Sequence, residues 1–298
     1  MGSSKNYNFC PSLREGLRER KLKNIIFRTP HITKAVVLIL FFSYFSFFVA
    51  PAQEPSFQMN KFIACQATSI VTDNISNFYG MAMHEITKYK NSGELQYTYS
   101  DKSSGDITSI DVSNPLSVLV FYRDFHQIIF LDNTLSAISD PYALAEHELD
   151  QVTLACTSRD NGIWLFDQQK FQLLRMDKNF QIIQQSGYLN QVIGEIHPIK
   201  MLEYNNQLYL NDTSIGIMVF DIYGAYYKTI PFKGIKGFQI AGDRLYYLSG
   251  SVLKSYNMKT LEEREIILPE PRVQSLRIEG NLIYLLSNGH ITIYTLMN

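Results

Sequence analysis

Acidic and histidine side chains are the first place to look for chemistry in this 298-residue chain. Asp106, Glu148, Asp150, Glu195 and His197 form an oxygen-rich set whose donor types suit calcium. If three or more converged, the bound ion could act as a Lewis acid. A second set, Asp132, Asp177 and Asp221, recurs at the ends of apolar runs. An aspartate there accepts hydrogen bonds from nearby backbone N–H groups and fixes the turn that follows, so these three are read as turn-makers. The chain has no G-x-S-x-G elbow, no H-E-x-x-H, no G-x-x-x-x-G-K-[ST] and no G-x-G-x-x-G, and its six histidines show no paired spacing. No catalytic residue is assigned.

Residue types suited to recognition cluster instead. Tyr122, Arg123 and Phe125 lie in one short segment, Tyr142 and His147 in a second, and Tyr188, Asn190 and Gln191 in a third. Tyr, Phe, Arg and His gathered on connections are what a binding surface uses. The competing reading is that these aromatics pin down their own loops. In the third segment Leu189, Val192 and Ile193 are expected to pack inward.

The elements that carry these residues follow from the periodicity. Short β-branched and aromatic runs are broken every 8–12 residues by Gly, Asn, Asp or Ser, which reads as all-β. One signature recurs, an alternating strand ending in aromatic-Asp or its equivalent, then a polar turn and another strand. Its copies centre on positions 90, 132, 177, 221, 257 and 295, a mean spacing of 41 residues. Four short strands per unit at that period mark a propeller blade, and six units account for residues 53–298. The predicted strands of the fourth unit are 199–204, 207–211, 216–221 and 225–230. Those of the fifth are 236–241, 244–248, 252–257 and 262–268. The sixth unit has only three, Val273 to Ile278, Leu282 to Leu286 and His290 to Thr295. An unpaired outer edge there would invite association, so the segment Phe57 to Cys65 is expected to supply the missing strand and close the ring. Cys65 then sits on the outer rim of blade six and Cys156 on an inner strand of blade three, too far apart for a disulfide. In such a ring the d-to-a and b-to-c connections share one face. The reading puts the long d-to-a connections at 140–148 and 187–197, and the 122–126 turn, on that face.

The turn Phe220-Asp221-Ile222-Tyr223-Gly224, with strands such as Leu208-Tyr209-Leu210 and Leu245-Tyr246-Tyr247, resembles the NHL and TolB-like six-bladed propellers. The chain also resembles exported bacterial envelope proteins of that build. With one tryptophan, Trp164, it cannot carry the Trp-Asp repeats of WD40 proteins. The resemblance implies an all-β, six-bladed fold and assigns no catalytic residue. It also implies the one enzymatic alternative, a calcium-dependent lactonase-type hydrolase with its metal in the central channel, held by Asp106, Glu148, Asp150, Glu195 and His197.

Charge divides the chain. Residues 1–34 carry eight Lys/Arg against two acids, and the part from Gln53 onward carries 19 basic against 26 acidic residues. The acidic body argues against sequence-independent nucleic-acid binding, which needs Lys/Arg at phosphates. Between the two lies Ala35 to Ala50, sixteen residues without a charge, followed by Ala50-Pro51-Ala52. Basic stretch, apolar run and small-residue site make a secretory signal with cleavage between Ala52 and Gln53. The alternatives are an uncleaved anchor, which would make the protein single-pass, and a start codon placed too far upstream. The organisation expected is 1–34 basic region, 35–52 signal segment and 53–298 propeller. The protein is then exported to the periplasm or envelope surface of a Gram-negative bacterium. It is expected to have no cofactor and to bind an envelope protein, peptide or glycan through blades two to four. Membrane contact would come only from the N-terminal segment, if retained.

Overall fold

The computed structural model describes residues 56–297. The signal segment and the Ala52–Gln53 site lie outside them. Six four-stranded antiparallel sheets follow one another along the chain, five of them running from an inner to an outer strand in sequence order and the sixth taking its outer strand from the start of the described chain. Blade one is built from Ser69–Thr72, Asn77–Met81, Glu85–Lys90 and Leu95–Ser100. Blade four is Lys200–Tyr204, Gln207–Asp212, Gly216–Phe220 and Tyr226–Ile230, and blade five Phe238–Ala241, Arg244–Ser249, Val252–Asn257 and Glu263–Ile267. The expected strands of both lie within one or two residues of these bounds.

Burial explains the sequence pattern. Val118–Tyr122 and Ile163–Asp167 are second strands of their blades and Gly216–Phe220 is a third strand, and all of their residues are buried. Each is covered on both faces. Val118, Val120 and Tyr122 point to a cluster shared with blade one, while Leu119 and Phe121 point to one shared with blade three. Such strands read as unbroken apolar runs rather than alternations. Outer strands such as Ile182–Gln185 are largely exposed. Further clusters join blades three and four, four and five, five and six, and finally six and one. An unbroken circle of such interfaces makes a closed propeller.

Closure is made as expected. Ser56–Ala64 pairs antiparallel with His290–Met297, from Ser56 opposite Met297 to Ala64 opposite His290, with a register shift between Met59 and Lys61. Blade six therefore has the order N-terminal strand, His290–Met297, Leu282–Ser287, Ser275–Glu279. Cys65 follows the closing strand and Cys156 lies on the inner strand of blade three, and both are free thiols. Burial pushes the Cys156 thiol well up, which leaves it unreactive.

Polar latches join neighbouring blades. The Glu203 carboxylate of blade four accepts from Ser158 Oγ at 2.9 Å, Arg159 N at 3.2 Å and Trp164 Nε1 at 2.7 Å, all of blade three. Asp111 of blade two accepts from both Thr157 N and Thr157 Oγ1 at 2.9 Å. Between blades five and six, Gln239 bonds Ile278 both ways, at 2.7 and 2.8 Å. Between six and one, Thr72 Oγ1 donates to Glu279 at 2.7 Å. Among the described residues no helix is long and apolar enough to cross a membrane.

Candidate functional site

The recurring aspartates make turns. Asp132 Oδ1 accepts from Thr134 N and Ser136 N, Asp177 Oδ1 from Asn179 N and Gln181 N, and Asp221 Oδ1 from Tyr223 N and Ala225 N. All three sit between third and outer strands, on the face opposite the proposed ligand face.

The connection between blades three and four is the most built-up feature of the ligand face. A short 3-10 turn, Leu189–Gln191, opens it, and Leu189 and Ile196 are buried in the core cluster of those blades. Its two ends are clamped. Leu189 N donates to Phe171 O at 2.8 Å, and Ile196 O accepts from Gln168 Nε2 at 2.8 Å. His197 N donates to Asp212 Oδ2 at 2.6 Å, while Ser214 N, Ser214 Oγ and Ile215 N bond Asp212 Oδ1. Burial works to raise the Asp212 pKa, but these hydrogen bonds together hold its carboxyl below the ordinary range. On this fixed base Tyr188 is 53%, Val192 67% and Ile199 48% exposed. Asn190 and Gln191 are exposed as well. Leu189 and Ile193 pack inward as expected, but Val192 does not. It faces solvent because Leu189 and Ile196 already fill the space beneath.

The other predicted binding residues divide. Arg123 and Phe125 are exposed on the turn between the second and third strands of blade two. The ring of Phe125 lies against Gly105, where an added Cβ would collide with it, so this aromatic also covers the blade one to two connection. Tyr122 is fully buried, and its hydroxyl lies 3.1 Å from that of Tyr99. Burial and that hydrogen bond push its pKa up, and it is a core residue rather than a contact residue. Tyr142 is another correction. With Ala143 it forms the two-residue outer strand of blade two, opposite Ile128 and Gln127, so the connection proper starts at Leu144. The Tyr142 ring is sandwiched between His147, at 4.7 Å, and Phe180 of blade three, at 4.0 Å, with nearly parallel planes. Here the aromatic pins its own segment.

The acidic set does not form a cluster. Glu195 Oε1 lies 3.1 Å from His197 Nε2, Asp106 Oδ1 lies 3.3 Å from His84 Nδ1, and Asp150 bonds Gln151. Among the described residues no group of three His, Cys, Asp or Glu side chains is placed to hold a metal ion. The lactonase alternative needed three of the five to converge.

Exposed apolar side chains that sequence reasoning missed include Met83, on the same face in the corresponding turn of blade one. On the opposite face Ile75, Leu116, Ile138, Tyr223 and Leu261 are exposed too, but they sit singly in separate turns. Three in one connection is found on the ligand face.

No protein-family model matches the chain, and no curated protein matches it. Solved structures do match. BamB from Moraxella catarrhalis superposes with a TM-score of 0.50 at 11% identity, over 80% of this chain and 100% of that one. A catalytically inactive virginiamycin B lyase from Staphylococcus aureus, with quinupristin, gives 0.56 at 12% identity over 82% and 100%. The Pan2 WD40 domain of Neurospora crassa gives 0.53 at 11% over 81% and 96%. These relatives include an enzyme, and at such identities the likeness establishes the propeller fold and nothing finer.

Proposed function

We propose that this chain is an exported, non-catalytic propeller of the bacterial cell envelope, of the NHL or TolB-like repeat type, that binds a protein partner through the loop face of blades two to four. The observation that carries the reading is the blade three to four connection. It is clamped at both ends and anchored by Leu189 and Ile196, yet it holds Tyr188, Val192 and Ile199 in solvent. Ordering a loop costs free energy, and a loop ordered before contact spends less of the binding energy on it. Arg123, Phe125, Asn190, Gln191 and His147 supply the polar and aromatic surroundings on the same face. Export rests on the 35–52 segment, with cleavage leaving Gln53 first.

The test is crosslinking in intact cells of the full chain tagged at its C-terminus, followed by mass spectrometry. The reading expects one stoichiometric protein crosslinked within 187–199 or 123–126, and peptides that begin at Gln53. Crosslinks confined to the opposite face would contradict the binding site, and intact 35–52 peptides would contradict cleavage.

A further inference from the structure

The connection from blade five to blade six carries a largely buried carboxylate that the partner reading does not use. It runs Leu268-Pro269-Glu270-Pro271, so Glu270 is set between two prolines. A proline fixes its own φ and keeps the residue before it extended, which leaves Glu270 little backbone freedom. Its side chain is 16% exposed and meets three donors of blade six. Oε2 accepts from Ser287 Oγ at 2.8 Å and lies 3.3 Å from His290 Nε2, while Oε1 accepts from Tyr294 OH at 2.9 Å. The other nitrogen of His290, Nδ1, lies 3.3 Å from the carbonyl of Asn288, so the ring is held from both sides.

Two of those donors carry the strand that closes the ring. Phe62 of Ser56–Ala64 stacks on His290 with centroids 4.7 Å apart, and Phe57 meets Tyr294 edge-on at 6.1 Å. The register shift between Met59 and Lys61 divides the closing strand, with Phe57 before it and Phe62 after it. Each half therefore rests one ring on a side chain that Glu270 holds. The strand has little other anchorage, since only Phe57 and Ile63 are even partly buried. A strand with so little buried surface opens locally at a lower free energy than the whole fold. We propose that Glu270 is a pH-sensitive latch of the ring: its carboxylate fixes His290 and Tyr294 as the platform for Phe62 and Phe57, and its protonation releases the closing strand while the other blades stay folded.

An ionised carboxylate accepts from all three donors, whereas the protonated form must place a hydrogen among them. Burial works to raise the Glu270 pKa, but the hydroxyls around it and His290 hold its carboxyl below the ordinary range. The latch is then complete above the ordinary value of 4.5 and is lost as pH falls through the lower folded value. The other charges of the elements around it are turned elsewhere. Arg272 of the same connection is exposed. On the inner strand of blade six Leu276 and Ile278 face blade five, so Arg277 and Glu279 face blade one, where Glu279 accepts from Thr72. Lys61, the single charge of the closing strand, lies against Gly93 of blade one. Blade five turns Leu253, Ile266 and the ring of Tyr246 toward blade six. Its charges on that side, Arg244 and Arg264, stand near the starts of their strands, where Arg244 bonds Ser255 and Arg264 lies 3.7 Å from Glu262. The latch is independent of the partner reading.

The experiment is hydrogen exchange of the purified full chain, read by mass spectrometry from about pH 7 to about pH 3, with each rate divided by that of an unstructured chain at the same pH. The expected result is that protection within 56–64 falls by about ten- to a hundredfold as Glu270 protonates. Protection within 163–167 of blade three persists over the same range. Glu270→Gln keeps the shape and removes the charge, and at neutral pH its closing strand is expected to exchange as the parent's does in acid, with no further response to pH. The parent alone decides the case even if that variant folds poorly. Equal losses of protection in 56–64 and 163–167, no loss in 56–64, or a Glu270→Gln chain that keeps the parent's pH response would overturn the latch.

Discussion

Trp164 ties blade three to blade four through a single side chain, and Asp212 ties the long connection to blade four in the same way. Four hydrogen bonds converge on the Asp212 carboxylate, one of them from His197 at the end of the long connection. Its depressed pKa means that the stability it contributes is complete above the ordinary value of 3.8 and is lost as pH falls through the lower folded value. Asp212→Ala is expected to cost about 1–3 kcal/mol at neutral pH. The gap between variant and parent should close as pH falls below that range, which denaturant titrations at several pH values measure. Trp164→Phe keeps an aromatic in the fully buried site but removes the 2.7 Å bond to Glu203. The expected loss is about 1–3 kcal/mol, read as a fall in Tm of about 2–12 °C for a domain of this size.

At the scale of the strand, the decisive element is Ser56–Ala64. It comes first among the described strands yet completes the last blade, so the ring is held by a contact between its two ends. A chain beginning at Gln66 leaves the edge of His290–Met297 unpaired and exposes apolar surface on blades six and one. Such a chain is expected to aggregate or lose cooperative unfolding, and size-exclusion chromatography with circular dichroism would register this. A truncated chain that melted like the parent would contradict the closure. This element was legible in the sequence because blade six ran out of residues one strand early and Phe57 to Cys65 had the right length. Tyr142 was not legible as a strand. Asp140-Pro141 before it signals a turn, and pairing with Gln127 and Ile128 is a cross-strand property no local window contains. The same limit hid the burial of Tyr122, whose neighbours Arg123 and Asp124 read as a surface turn.

At the scale of the whole molecule, the ring separates two surfaces. One carries the turns fixed by Asp132, Asp177 and Asp221. The other carries the clamped connection with Tyr188, Val192 and Ile199. The fold does not choose between a binding module and an enzyme, since the same ring serves a lyase. The most direct measurement of the central claim is site-specific photo-crosslinking in living cells, with a photoreactive residue placed at Val192 and, in a second chain, at Leu261. Both positions are well exposed, at 67% and 64%, and they lie on opposite faces. The account predicts a discrete protein adduct from Val192, weakened by Tyr188→Ala in the same chain, and none from Leu261. An adduct from Leu261 alone, or none from Val192, would contradict it.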